Sequence, residues 1–121
     1  MCGLGRRCYL QMTDEQTEKI KSAIEAADHI PVAKKAELLG LLRKIKPAIA
    51  DIAQTHADDA RNIGRHVEAS AHEAARKNKR PEFLNRALRE LKQSVQKFEA
   101  SHPQLVSSVT EYSGFLSALG I

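Results

Sequence analysis

The sequence predicts an all-α fold, an antiparallel bundle of about four helical segments. Apolar residues recur at alternating intervals of four and three residues in three separate stretches, which is the spacing of one helix face. The chain has no tryptophan, two tyrosines and three phenylalanines, and a core of Ala, Leu, Ile and Val favours packed helices over sheets. Prolines separate the stretches, so short connections and antiparallel neighbours are expected.

The first helix is expected to begin at Thr13, which is a good N-cap and forms a capping box with Gln16. The helix should end before Pro31, which moves the preceding residue out of the helical region. We therefore predict a single helical-bundle domain over residues 12–121, with residues 1–11 as a disordered extension or a misassigned start. The apolar stripe of this helix consists of Ile20, Ala23, Ile24 and Ala27.

The second helix should begin at Pro31, where a missing N–H group is tolerated. Its apolar face is formed by Leu38, Leu42, Ile45, Ile49 and Ile52. Pro47 lies inside this pattern and removes a backbone hydrogen bond, so a kink or short break is expected near Lys46. Beyond it, residues 48–77 contain no breaker except Gly64, which predicts one long helix of about 45 Å.

Two further helices follow in the remainder of the chain. Pro81 begins the third stretch, whose apolar residues are Leu84, Leu88, Leu91, Val95 and Phe98. Pro103 breaks the chain again, and Gly120 is expected to end the last helix as its C′ residue. That helix carries Leu105, Val109, Tyr112, Leu116 and Leu119.

Positive charge is concentrated in the second half of the chain. The formal net charge is +4, and eight basic residues face two acidic ones between Arg76 and Lys97. Such a field attracts anionic partners, so anion or nucleic-acid binding through residues 76–97 is one functional hypothesis. Phe83 is expected to pack inward, which leaves few aromatic residues for stacking on bases. The predicted basic patch comprises Arg76, Lys77, Lys79, Arg80, Arg86 and Arg89.

Other motifs exclude several classes of function. Cys2 and Cys8 are the only cysteines, so neither a disulfide framework nor a zinc spacing is present. No nucleophile elbow and no glycine-rich phosphate loop occurs, and we expect no catalytic residue, no cofactor and no enzymatic activity. No apolar run has the length of a membrane span, and no apolar signal core follows the start, so a cytoplasmic location is expected.

The stretch after Ile52 admits two helical phases. On a strict seven-residue repeat, four potential metal ligands would line the interior: His56, Asp59, His66 and Glu73. On the true helical period, alanines and other small residues turn inward, and those four residues and Ser70 lie along the flank. We favour the second phase because it buries no charge. A third alternative is a polar seam that fixes the helix register.

Small residues on the favoured inward face predict self-association. If the long helix extends beyond its neighbours, a second copy would cover this face in a twofold dimer; the alternative is that the later helices cover it. The stripe comprises Ala53, Ala57, Ala60, Gly64, Ala71 and Ala74. The leading functional interpretation is therefore a non-enzymatic interaction or scaffolding protein that forms a homodimer.

The end of the chain resembles a family of small, uncharacterised bacterial helical proteins. These proteins share a Phe-Glu-x-x-His-Pro-x-Leu stretch, an amphipathic helix and a terminal Gly-Ile. The matching positions here are Phe98, Glu99, His102, Pro103, Leu105, Gly120 and Ile121. The resemblance covers about a fifth of the chain and implies a bacterial origin and an all-helical fold, without an activity.

Overall fold

The computed structural model describes residues 14–78 and 80–120, and this part of the chain contains five α-helices and no strand. The helices are α1 (Asp14–Ala26), α2 (Val32–Ala53), α3 (Ala57–Ala75), α4 (Pro81–Val95) and α5 (Pro103–Gly120), and a short 3₁₀ helix, Gln96–Phe98, follows α4. The predicted all-α class is confirmed. The prediction of a disordered or misassigned start over residues 1–11 lies outside the described residues.

Helices α3 and α4 run antiparallel. At one end of the pair, the Arg80 guanidinium lies 2.6 Å from the Glu73 carboxylate. At the other end, Lys97 Nζ lies 3.1 Å from Asp59 Oδ1. Because residue numbers rise along one helix as they fall along the other, the two ion pairs fix the direction.

Helices α2 and α5 are antiparallel by the same reasoning. Lys44 Nζ lies 3.5 Å from Glu111 Oε1, and His102 Nε2 lies 3.8 Å from Asp51 Oδ2. Short connections join α2 to α3 and α4 to α5. The four helices therefore alternate in direction around one core, in an up-down-up-down arrangement.

Helix α1 packs against the outside of α3. Gln16 Nε2 donates a hydrogen bond of 2.8 Å to Glu68 Oε1. After the helix has ended, His29 Nε2 lies 3.0 Å from the carbonyl oxygen of Ala74, and because that oxygen only accepts, the imidazole must donate. These two contacts place α1 parallel to α3, as a fifth helix beside the bundle.

A single hydrophobic core joins all five helices. Most of its members come from the predicted apolar faces, Leu41 being an addition, and the largest fully buried side chains are those of Tyr112 and Phe98. Phe98 is 2% exposed and follows α4, so the 3₁₀ helix turns its ring under the end of the bundle. In α2, α4 and α5 the 4-3 spacing thus corresponds to the buried face, apart from Leu119, which is partly buried.

Of the kink or short break predicted near Lys46, the break does not occur. Helix α2 continues through Pro47 without a break, and the Pro47 side chain is exposed. An exposed position accommodates the proline ring on the side away from the core, so the lost hydrogen bond does not end the helix.

The single long helix over residues 48–77 is also wrong, because the chain leaves the helix at residues 54–56. The amides of Thr55 and His56 both donate to the carbonyl of Ile52, 3.1 and 2.7 Å away, and close α2. Asp58 and Asp59 then occupy the first turn of α3, where the helix dipole favours negative charge. The polar stretch before them therefore ends one helix and begins another.

No helix in the described part of the chain combines the length and apolar character needed to cross a bilayer.

Candidate polyanion-binding surface

The predicted basic patch lies on the α3–α4 connection and along the outer face of α4. Arg76, Lys77, Arg86 and Arg89 are exposed there, and Arg80 is half-buried. Lys79, the sixth predicted member, lies outside the described residues. We call the five described cations, together with Phe83, the basic surface.

Phe83 does not pack inward, which corrects the prediction. Its side chain is 37% exposed and is one of two large hydrophobic residues on the surface of the described chain. The physical reason is its phase on α4: the core face carries Leu84, Leu88 and Leu91, and Phe83 precedes Leu84 by about 100° of helical rotation. Leu84 occupies the position that faces the core, so the Phe83 ring lies at the edge of the buried face of α4.

Two arginines flank the Phe83 ring. The guanidinium carbon of Arg80 lies 4.3 Å from the ring centroid, and that of Arg86 lies 5.8 Å from it. Both distances fall in the range of cation–π contacts. The surface therefore presents a partly exposed aromatic ring in contact with cations, a pairing that suits a flat, electron-rich ligand attached to an anion.

Glu73 holds one of these cations in place. It accepts a hydrogen bond of 2.6 Å from Arg80 Nη2, and Arg76 Nε lies 3.9 Å from its other oxygen. The Glu73 side chain is 19% exposed, so the ion pair with Arg80 is partly shielded from water. Arg80 is thereby held beside the ring, and Arg86 and Arg89 have no acidic partner among the described ion pairs.

The four candidate metal ligands are not brought together. Asp59 and Glu73 are paired with Lys97 and Arg80, and His56 is exposed at the start of α3. His66 is half-buried midway along that helix. Within the described ranges, no group of three or more His, Cys, Asp or Glu could hold a metal ion. The helical period explains this, because it places the four residues around the flanks of α3 and its first turn.

The small-residue stripe lies inside the chain's own core. The favoured inward phase is correct: Ala53, Ala60, Gly64, Ala71 and Ala74 are all buried, and Ala57 is half-buried. The neighbouring helices cover the stripe, which was the alternative to a dimer. It consequently offers no surface to a second copy.

Ser70 is also buried, although the favoured phase placed it on the flank. Its hydroxyl lies 2.8 Å from the Tyr112 hydroxyl and 2.9 Å from the Val67 carbonyl, and the Tyr112 hydroxyl lies 3.1 Å from that carbonyl. The two hydroxyl protons form two hydrogen bonds at a time among these three contacts, so both hydroxyl groups are satisfied in the core. A buried tyrosine hydroxyl needs such a partner, and Ser70 supplies it.

The Tyr112 network is structural. Burial raises the pKa of the phenol far above its ordinary value of 10.0, and the hydrogen bond from Ser70 offsets only part of that effect. The Tyr112 side chain is fully buried, so the phenol stays protonated and out of reach of a substrate. This buried network is therefore no catalytic acid or base.

The opposite end of the bundle is held by aromatic contacts. The rings of His56 and His102 both lie edge-on to Phe98, with centroids 5.1 and 5.7 Å away. His102 also donates its amide to the Phe98 carbonyl, 2.7 Å away. These contacts tie the α2–α3 connection to the α4–α5 connection, and they give both histidines a packing role.

No family model, curated protein or solved structure matches this chain. The resemblance of residues 98–121 to a bacterial helical family stays a prediction.

Proposed function

We propose that this protein is a non-catalytic binding module whose basic surface holds single-stranded nucleic acid. The observation that carries the proposal is the exposed Phe83 ring, framed by Arg80 and Arg86. Single-strand binding proteins combine a positively charged surface with aromatic rings on which bases stack. Phe83 supplies the stacking partner, and the arginines supply the charge.

The charge on α4 supports a contact with several phosphates. Arg86 and Arg89 are three residues apart on α4, which separates the two cations by about 4.5 Å along the helix axis. Arg76 and Lys77 extend the positive field beyond the start of α4. Each neutralised phosphate releases counterions, so binding to a single strand should weaken with salt by a slope of about −0.7 per contact.

Single strands fit this surface better than duplexes do. A phenyl ring on a helix flank can stack only on a base that is unpaired and turned outward. Sequence discrimination would require donors and acceptors aimed at base edges, and the two guanidinium groups nearest Phe83 lie against its ring. We therefore propose binding with little sequence preference. The proposed location is the cytoplasm.

The proposal replaces self-association through the small-residue stripe as the basis of an interaction function. The stripe is buried, whereas the basic surface is open to a partner. A homodimer would have to use another face of the bundle.

A polarisation titration with a fluorescein-labelled 20-nucleotide strand tests the proposal. Phe83→Ala should weaken binding about five- to hundredfold, since stacking contributes about 1–3 kcal/mol per base. Val32→Ala is the matched control: Val32 is 81% exposed, and its truncation removes an apolar side chain from α2 without removing an aromatic face.

A charge variant tests the second component of the surface. Arg86→Gln should reduce the slope of log affinity against log salt by about 0.7, while Lys44→Gln, on the exposed side of α2, should leave the slope unchanged. Equal binding by the Phe83 variant and the unaltered protein, or no salt dependence, would refute the proposed function.

A further inference from the structure

A second surface feature lies between α4 and α5, away from Phe83. It is a groove of about 600 Å³, lined on one wall by Arg89 and Lys92 and on the other by Thr110, Ser113, Gly114 and Ser117. Lys92 follows Phe83 by nine residues, so it projects from the opposite flank of α4, about 180° around the helix. The groove is therefore distinct from the stacking face, although both share Arg89.

Ser113 is the unusual residue of the groove. It is 3% exposed, and its hydroxyl oxygen is buried without a hydrogen-bond partner. Two other helical serines differ: Ser70 donates to the Val67 carbonyl at 2.9 Å and Ser94 to the Leu91 carbonyl at 2.6 Å. A buried hydroxyl is normally satisfied, so Ser113 keeps an unpaired donor and acceptor just beneath the surface of the groove that it lines.

Gly114 lacks a side chain and therefore leaves space in the groove next to Ser113. A Cβ atom at this position would meet no atom within 4 Å, and no described glycine has a positive φ. Neither packing within the chain nor backbone conformation requires glycine here, and a glycine inside a helix is destabilising relative to alanine. Its effect is to leave room beside the Ser113 hydroxyl.

The chemistry of the lining indicates the ligand. Arg89 and Lys92 are cations, the opposite wall carries hydroxyl groups, and no carboxylate lines the groove in the described part of the chain. Arginine and lysine with a hydroxyl donor form the charge-assisted hydrogen bonds that phosphate accepts.

We propose that this groove is a phosphate subsite, in which Arg89 and Lys92 neutralise the phosphate charge and the Ser113 hydroxyl donates to one of its oxygens. The phosphate belongs either to a small phosphorylated molecule or to the backbone of a nucleic acid strand. The inference goes beyond the proposed function, because phosphate recognition here needs neither Phe83 nor a polymer.

Amide chemical shifts during titration with inorganic phosphate at constant ionic strength, with chloride as the reference salt, test the subsite. Residues 110–117 should shift saturably. Ser113→Ala should weaken phosphate binding by about tenfold, the loss of one charge-assisted hydrogen bond, and should fold normally because its hydroxyl has no partner in the chain.

A glycine pair supplies the matched control. Gly114→Leu should abolish the phosphate-dependent shifts by filling the groove, while Gly40→Leu on α2 should leave them unchanged. Neither Cβ atom would meet a neighbour, so both variants should keep their helical circular dichroism. Unsaturable shifts, or shifts that persist at full size in both Ser113→Ala and Gly114→Leu, overturn the phosphate subsite.

Two further probes, uridine monophosphate and the 20-nucleotide strand, distinguish the sources of the phosphate. Saturable shifts with phosphate and the mononucleotide, without strand binding, assign the groove to a small phosphorylated ligand and refute the proposed function alone. Strand binding that Gly114→Leu weakens assigns the subsite to a backbone phosphate. Strand binding that depends on Phe83, with no saturable phosphate shifts, refutes the subsite and leaves the proposed function standing.

Discussion

Replacing Tyr112 by phenylalanine measures the hydrogen-bond network inside the bundle. The ring stays in place, so no large cavity forms, and only the hydroxyl is lost. Ser70 can still donate to the Val67 carbonyl, 2.9 Å away, so no buried donor is stranded. The expected loss is that of one net hydrogen bond, about 1 kcal/mol, which corresponds to a fall in Tm of about 4 °C for a chain of this size.

Urea unfolding followed by circular dichroism at 222 nm is the suitable assay, because the chain has no tryptophan to report. Ser70→Ala should cost a similar amount, since Tyr112 retains the Val67 carbonyl at 3.1 Å. The double variant should cost about the sum of the two single losses, because each single variant keeps one hydroxyl hydrogen bond and the double variant keeps neither. Unchanged stability in Tyr112→Phe would show that the hydroxyl makes no useful contact, and the reasoning would fail.

Three further predictions concern stability. First, burial raises the pKa of Tyr112 above 10.0, so its protonated phenol contributes fully to the stability of the folded state below pH 10. Above pH 10 that contribution falls by about 1.4 kcal/mol per pH unit, so the urea midpoint of Tyr112→Phe should decline less steeply with pH than that of the unaltered protein. Equal declines would contradict the assignment. Second, Ala71 is 0% exposed, so Ala71→Leu should destabilise the fold by about 1–3 kcal/mol through overpacking. Ala69→Leu, on the exposed face of α3, should change stability by less than about 0.5 kcal/mol. Equal effects of the two variants would place the stripe at the surface. Third, Pro47→Ala restores a missing backbone donor inside α2 and should stabilise by about 1 kcal/mol or more, as thermal unfolding would record; a lower Tm would mean that the helix needs the proline.

The fold class followed from the sequence because apolar spacing, proline positions and core composition agreed with one another. The faces of α4 and α5 were placed correctly, and so was the inward phase of the alanines on α3. That phase follows from the helical period together with the expense of burying charge. Both arguments depend only on residues close together in the chain, so they can be made from one sequence.

The division of the predicted long helix at residues 54–56 was missed, although the sequence holds a signal for it. Thr55 and His56 are followed by Asp58 and Asp59, a polar stretch with acidic residues in the first turn, which is typical of a helix start. Pro47 is the stronger breaker in isolation, and the sequence therefore predicts the interruption there. Its exposed position on α2 allows the helix to continue through it, and exposure depends on tertiary packing.

The candidate sites could be predicted only in part. The cations of the basic surface were visible as a charge cluster, but Phe83 lies one position from the core seam, and the direction of its ring depends on how Leu84 fills that seam. The groove beside Ser113 requires two helices to lie side by side at a particular rotation. Ser70 was misplaced for the same reason, because its partner Tyr112 comes from another helix.

The aromatic proton resonances of Phe83 test the central claim most directly. During titration with a single-stranded oligodeoxyadenosine, stacking should move the Phe83 ring signals upfield and saturate, because a base lies over the exposed face. The ring of Phe98, which is 2% exposed, should not move. Phe83 signals that stay fixed while the strand binds elsewhere would contradict the account.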